Sequence, residues 1–548
     1  MRIRRRRSAP AVALVVAALL SAGAGPALAT TASTGTGGGL LDTLAGDVLG
    51  GVVDAAWGDD TTREGAQATR PDGTWDATRD RGSMWSLTRS IGAQRAWARG
   101  VTGKGVTVAL IDTGVVDVPG LDGEGKVVDG PDLSFESQGA GTRYLDGFGH
   151  GTHLAGIIAG RDAGFDPRKP QGTVFAGVAP DAGLLNMKVA TGDGGADVSQ
   201  VIAAIDWVVE HRDDQGMNVR VINLSYGTAS TQPWQVDPLA RAVENAWDHD
   251  ILVVTAAGND GLAAPSLLMP AVDPHVLAVG GSDHRGSDTK LDDKVAAFTN
   301  GGSAARRPDL LAPGKSVVSL RDPGSYVDTA HPEGRLVGDD TGRWFRGSGT
   351  SQSAAVVSGE AALLFSARPR LTADQAKAVL MQTATPLVTG GPVQGRGVAD
   401  VGAAVTTVKA GLVLPTLRQS LPDSTGLGTL EASRGGEHVV DPETGTALTG
   451  EVDAIGSPWR PAAWVAAQAA GATWRGGAWN GRTWTGTTWD QRQLQGVSWT
   501  GSSWSGVPWA DHAWPTDQFQ ARSWRGDSWK ARSWRGDSWK ARSWRGQP

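Results

Sequence analysis

Short apolar runs alternate with amphipathic stretches through the middle of this chain. Residues 106–111 (Val-Thr-Val-Ala-Leu-Ile), 219–224 and 251–255 are largely apolar at consecutive positions. That is the mark of strands buried on both faces of a parallel sheet. Around them the apolar period changes to the helical one. Val198, Val201, Ile202, Ile205, Val208 and Val209 follow a cap at Asp197. Leu239, Val243 and Trp247 share one side of a helix opened by Asp237-Pro238. Thr372 to Gln375 reads as a capping box before a helix over 376–382, with further short helices near 91–97 and up to about 409. Strands alternating with helices predict a doubly wound α/β domain with a mostly parallel sheet. In such a sheet, sites form beyond the carboxyl ends of the strands. Asp112, Ser225 and Asn259 all stand at such ends.

The flanks read differently. Arg2 and Arg4 to Arg7, an apolar run over 11–20 and Ala27-Leu28-Ala29 form an export signal over 1–29, too short to span a bilayer. Residues 30–82 are rich in Gly, Thr, Asp and Ala and read as a pro-segment or disordered extension. The α/β domain is expected over 83–409. Residues 410–458 hold many turn formers and no sustained period, which reads as a linker.

The 548 residues carry a formal charge of −6, which gives no reason to expect specific nucleic-acid binding. The absence of cysteine excludes disulfides, thiolate zinc sites and a cysteine nucleophile. No later apolar run is long enough for a membrane span in the mature chain.

Candidate chemistry lies in three clusters. Gly349-Thr350-Ser351 opens an apolar helix, which places a hydroxyl beside free backbone N–H groups at a positive helix end. Gly149-His150-Gly151-Thr152-His153 opens another. Asp112-Thr113-Gly114 ends a strand. A serine hydroxyl needs a base to become a nucleophile, and imidazole titrates in the right range. A buried carboxylate then fixes the imidazole. His150 and His153 also read as a metal pair, but without the acidic partner of a zinc protease. Asp-Thr-Gly also occurs in aspartic peptidases, which need a second such carboxylate; this chain has no second Asp-Thr/Ser-Gly.

In the order Asp, His, Ser, residues 111–114, 149–153 and 349–351 resemble the signatures of the subtilase (subtilisin-like) serine peptidase family. The resemblance covers roughly 90–408. It implies a secreted serine endopeptidase with catalytic Asp112, His150 and Ser351, acting through an acyl-enzyme on protein or peptide substrates. It further implies Asn259 as an oxyanion-hole donor and Ser225-Tyr226-Gly227 as the segment that pairs with substrate backbone. Apart from the resemblance, the size of Tyr226 suggests a ring that narrows the cleft. Leu311-Ala312-Pro313-Gly314 matches a structural turn of the family. No cofactor is implied for the chemistry. Structural calcium is compatible with the resemblance; Asp162 and Asp166 lie in an insertion, 161–172, where many relatives bind it, but no ligand set is assigned. The family commonly has a proline shortly after the nucleophile. Here the run is Gln352-Ser353-Ala354-Ala355-Val356, so a less rigid helix start is expected.

Beyond 458, tryptophan recurs every five residues from Trp459 to Trp544, at fifteen of eighteen in-register positions, and Leu or Phe or Ala takes the rest. A period of five fits neither a helix nor a one-faced strand and suggests stacked, solenoid-like repeats. Eight basic and two acidic residues over 521–548 make the tail cationic. Together these features suggest contact with a cell wall or anionic polymer by 459–548; the alternative is that the indoles form the array's own core. The rival to a secreted or cell-surface-associated endopeptidase is therefore a surface-binding protein with an inactive peptidase scaffold.

Overall fold

The computed structural model describes residues 69–137, 141–287, 289–411, 421–436, 438–439, 446–454, 456–474, 478–480, 482–485 and 493–494. All belong to one compact unit, Thr62–Pro548. The expected signal peptide, most of the 30–82 segment and the array beyond 494 lie outside the described residues.

In chain order the elements are α1 (Met84–Ser90), α2 (Ala93–Trp97), β1 (Thr107–Asp112), β2 (Val127–Asp129), α3 (His150–Ala159), β3 (Gly183–Lys188), α4 (Val198–His211), β4 (Val219–Leu224), α5 (Pro238–Asp248), β5 (Leu252–Ala256), β6 (Leu277–Asp283), β7 (Lys294–Val295), β8 (Leu310–Pro313), β9 (Val317–Leu320), α6 (Tyr326–Ala330), β10 (Trp344–Gly347), α7 (Thr350–Ala367), α8 (Ala373–Thr383), α9 (Val401–Lys409), α10 (Leu430–Arg434) and α11 (Pro461–Ala469). Three short strands follow: β11 (Ala478–Trp479), β12 (Arg482–Thr485) and β13 (Gln493–Leu494).

The main sheet runs β2-β3-β1-β4-β5-β6-β7, with β8 also paired to β6. All of these pairs are parallel except β6 with β7. The expected α/β class is what forms. Strand alternation divides the core: Val108 and Leu110 of β1 face one apolar cluster, Ala109 and Ile111 the other. The first cluster holds α3, α7, α8 and α9. Helix α7 is buried from Thr350 to Phe365, because small and apolar residues surround it on every side. Capping side chains set the helix starts: Asp197 and Gln200 form a capping box on α4, Asp237 precedes Pro238 on α5, and Thr372 with Gln375 caps α8.

Two boundaries differ from expectation. Order begins before residue 83: the Trp75 indole donates to Asp80 at 2.8 Å, and Asp80 pairs with Arg346. The described part of 410–458 is packed, not a free linker. Arg434 makes a 2.6 Å ion pair with the α4 cap Asp197, both side chains about 1% exposed. Ser433 Oγ donates to the α5 cap Asp237, and the Ser424 N–H donates to Glu244. These contacts are polar and local to two helix caps, so they leave no apolar period in the sequence.

The first repeats of the tryptophan array also depart from the solenoid expectation. They form a helix, α11, then antiparallel strands. The indoles of Trp459, Trp464, Trp474 and Trp479 are at most 7% exposed and pack on the outer side of α4. Trp464 and Trp479 both donate Nε1–H to Asp206 Oδ2, at 2.8 and 3.0 Å, and Trp474 donates to the Ala203 carbonyl. These four rings are committed to the protein's own interior and are not open to a polymer. They explain why every residue of α4 from Val198 to Val209 is buried, including Asp206. Among the described residues no helix is long and apolar enough to cross a membrane.

Burial pushes the Asp206 carboxyl from its ordinary 3.8 up to about 6, against the stabilising indole and Gln468 donors. A raised carboxyl pKa favours the folded state most at low pH, and that contribution is lost as pH rises through about 6. Asp206→Asn removes the titration. In denaturant unfolding on a Ser351→Ala background, the stability of this variant relative to the parent should rise by up to about 3 kcal/mol between pH 4 and 6.5. A difference that stays flat across that range contradicts the assignment.

Candidate active site

The chain lays β2 and β3 on one side of β1, then β4, β5 and β6 on the other. That reversal opens a crevice beyond the carboxyl ends of β1 and β4. Asp112 is the last residue of β1, and Ser225 follows β4. Adjacent strands lie about 4.8 Å apart, so the two ends are neighbours.

His150 is the first residue of α3, and its Nδ1 lies 2.7 Å from Asp112 Oδ1. The two side chains are 2% and 1% exposed. With Asp112 ionised, Nδ1 carries the proton and Nε2 is left as the acceptor. The same Asp112 oxygen accepts from the Thr113 N–H at 2.8 Å and the Thr113 hydroxyl at 3.2 Å.

Asp146 and Lys188, which the sequence did not single out, hold this pair together with Thr113. Asp146 accepts from the Thr113 hydroxyl, the Gly149 N–H and the Thr152 N–H at 2.6–2.7 Å, so one carboxylate joins the Asp112 turn to the first turn of α3. Burial lifts its pKa, against those donors. The Thr113 hydroxyl also accepts the Gly151 N–H at 2.9 Å. Lys188, at the end of β3, donates to the Thr113 and Leu145 carbonyls and pairs with Glu136 at 2.9 Å. Burial alone would lower its pKa, but Glu136 and Asp132 hold the ammonium above its usual range. The approach of α3 to this turn demands glycine at 151: a Cβ there would lie 2.1 Å from the Gly114 carbonyl oxygen. Asp146, four residues before His150, was the one signal available in the sequence.

Ser351 is the second residue of α7 and is 5% exposed. Ser225 Oγ donates to its carbonyl at 3.3 Å, tying the end of β4 to the start of α7. The helix start is firmly held despite the missing proline. The Gly349 N–H donates to Gly314 O and Ser353 Oγ to Ala312 O, both at 2.9 Å. The 311–314 segment thus supports the serine from β8.

Asn259, beyond β5, accepts the Thr350 N–H at 2.8 Å and the Thr350 hydroxyl at 3.0 Å through Oδ1. A backbone N–H can only donate, so the amide oxygen faces Thr350 and the NH2 is turned elsewhere. Among the described residues that NH2 has no protein acceptor. It sits next to the serine, with Nδ2 3.4 Å from where a Cβ of residue 349 would be.

The Ser225-Tyr226-Gly227 segment is divided by strand alternation. Ser225 turns to Ser351, while Tyr226 turns away, into the apolar cluster of α4 and α5, and is 3% exposed. Its ring does not narrow the cleft. Gly227 lies against Leu268, where a Cβ would be 2.7 Å from the Leu268 Cβ. The next residues along, Thr228 and Asp260, line a cavity of about 500 Å³ with Trp234, Leu268 and Met269.

The remaining candidates lie apart from this chemistry. His153 is buried, and burial first and the neighbouring His150 second lower its pKa to about 3. Asp162 is engaged by the Arg343 guanidinium at 2.7 Å and the Phe175 N–H at 2.9 Å, and Asp166 closes its own turn onto Arg168 N–H. A guanidinium already neutralises the only buried-side carboxylate of the insertion, so these residues do not fit a calcium site.

A carboxylate–imidazole pair and a helix-borne serine thus stand at the strand ends of a doubly wound sheet. The chain belongs to the subtilase family, whose model matches residues 103–402. It is 35% identical over 286 residues to "Serine protease AprX" of Bacillus subtilis (strain 168), covering 51% of this chain and 61% of that one. It is 32% identical over 316 residues to the "Major intracellular serine protease" of the same organism, covering 56% and 84%. It is likewise 32% identical over 303 residues to "Subtilisin BL" of Lederbergia lenta, covering 55% and 91%.

Replacing Asp146 with Ala leaves the Gly149 and Thr152 N–H groups without an acceptor and the Thr113 hydroxyl with only its longer Asp112 contact. Each such loss costs about 1–3 kcal/mol. Asp146→Ala should therefore lower the unfolding free energy by about 2 kcal/mol or more in a denaturant titration. A change below about 1 kcal/mol contradicts the linking role.

Proposed function

We propose that this chain is a secreted serine endopeptidase that hydrolyses peptide bonds through an acyl-enzyme. The observation that carries the reading is the buried 2.7 Å contact of His150 Nδ1 with Asp112, together with a serine held at the start of α7 by the end of β4. Ser351 Oγ attacks the scissile carbonyl carbon while His150 Nε2 takes its proton. Asp112 stabilises the imidazolium and keeps the ring in place. The oxygen that becomes negative is met by the Asn259 NH2 and the Ser351 N–H. Collapse of the tetrahedral intermediate expels the amine, which receives the proton from His150. Water, activated by the same imidazole, then releases the acid and restores Ser351.

The substrate runs as an extended strand along the backbone of Ser225-Tyr226-Gly227, which gives main-chain recognition. One of its side chains enters the cavity beside Thr228 and Asp260. Export is supported by the arginine-rich start, the short apolar run and the Ala27-Leu28-Ala29 site. The tryptophan repeats beyond residue 494, cationic over 521–548, remain the support for attachment to a cell surface, a role that is compatible with catalysis.

With casein and a peptide substrate, Ser351→Ala should abolish hydrolysis. Asn259→Ala should lower kcat by about 10²–10³ with KM changed only a few-fold. Wild-type rates in Ser351→Ala would refute the mechanism, and an unchanged kcat in Asn259→Ala would remove the oxyanion role.

A further inference from the structure

Away from the proposed catalytic centre, one group of three side chains is placed as ligands are. Glu244 projects from α5, and Asp273 and His275 come from the loop that leads into β6. His275 Nδ1 lies 2.9 Å from Asp273 Oδ1 and 3.2 Å from Glu244 Oε1. One ligand atom from each residue lies within 4.8 Å of the other two, and all three residues are buried. Asp273 Oδ2 has no hydrogen-bond partner, and Glu244 Oε1 has only the 3.2 Å contact with His275 Nδ1, although the residues are 0% and 1% exposed.

We propose that Glu244, Asp273 and His275 bind a divalent first-row transition ion, with Zn²⁺ as its representative, that fastens the C-terminal segment to the catalytic domain. Ligands about 2.1 Å from such an ion and set at octahedral to tetrahedral angles stand about 3.0–3.4 Å apart. The 3.2 Å separation of His275 Nδ1 from Glu244 Oε1 falls in that range, and the 2.9 Å one from Asp273 Oδ1 lies just below it. One imidazole nitrogen with two carboxylates suits zinc or a neighbouring transition ion. Calcium prefers six to eight oxygens.

The frame around the site is fixed. The Ser424 N–H holds Glu244 Oε2 at 2.6 Å, and the His275 N–H holds Asp273 Oδ1 at 2.9 Å. Lys377 binds the carbonyls of Pro274, His275 and Val276, and Arg306 binds those of Ala271 and Asp273. The Trp234 ring stands edge-on to His275, with centroids 5.6 Å apart. The loop is thus held in shape by groups that are not ligands, as a preorganised site requires.

An M²⁺ bound here would offset the formal charge of the two buried carboxylates. Through Ser424 the ion would join α5, the 270–276 loop and the packed 421–436 segment. In a chain without cysteine this is a cross-link that disulfides cannot supply.

The test uses the full chain carrying Ser351→Ala, stripped with a chelator and titrated with ZnCl₂ by calorimetry, beside Glu244→Gln and His275→Gln. The expected result is one high-affinity Zn²⁺ per chain, weakened at least 10-fold in either variant and not displaced by millimolar Ca²⁺. Should a variant fail to fold, Co²⁺ added to the chain without those changes gives a second measurement: visible d–d absorption from nitrogen and oxygen ligands, abolished by one equivalent of Zn²⁺. Absence of Zn²⁺ binding, equal binding by folded variants, displacement by Ca²⁺, or no Co²⁺ spectrum overturns the proposal. None of these readouts depends on peptide hydrolysis.

Discussion

A carboxylate removed from water is costly unless donors surround it. That constraint governs the heart of this protein. Asp112 is held beside His150 with the Thr113 donors on the same oxygen, and the turn it belongs to is held from below by Lys188 and from the side by Asp146. Asp146 also serves the first turn of α3, so the position of the imidazole and that of the carboxylate are set by one shared group. The Asp112–His150 distance is therefore a property of a buried network joining β1, β3 and α3. Its parts are not free to drift separately.

The serine is placed by different means. It rides on α7, which is buried along nearly its whole length beneath the sheet, and its first turn is tied to β4, β5 and β8 by Ser225, Asn259 and the 312–314 backbone. Hydrogen bonds at the start of α7 do the work that a proline does in many relatives. On the opposite face the sheet is covered by α4 and α5, and these are in turn covered by the chain beyond residue 420. The catalytic domain is thus three layers deep there. Its outermost layer begins with the tryptophan repeats, whose indole N–H groups satisfy a buried aspartate.

The sheet and the site were legible in the sequence for one reason. Buried parallel strands leave continuous apolar runs, and the residues that end those runs, Asp112, Ser225 and Asn259, mark the edge that carries the candidate site. Capping residues Asp197, Asp237 and Thr372 gave helix starts for an equally local reason. Strand β3 escaped notice because its run contains Asn186 and Lys188, polar side chains that are buried with partners. The role of Asp146, the outward packing of 421–436 and the inward packing of the first tryptophans depend on residues distant in sequence. So does the turning of Tyr226 away from the cleft, which follows from the direction already taken by Ser225. A five-residue period could not reveal that α11 would form within it, since the rings are matched to the surface of α4 as well as to one another.

The most direct measurement is mass mapping of the adduct formed by a fluorophosphonate, which reacts only with a serine whose proton is removed by a positioned base. A single adduct on Ser351 that disappears in His150→Ala is the result this account predicts. A folded, exported protein that takes no label, or takes it on a different residue, would contradict it.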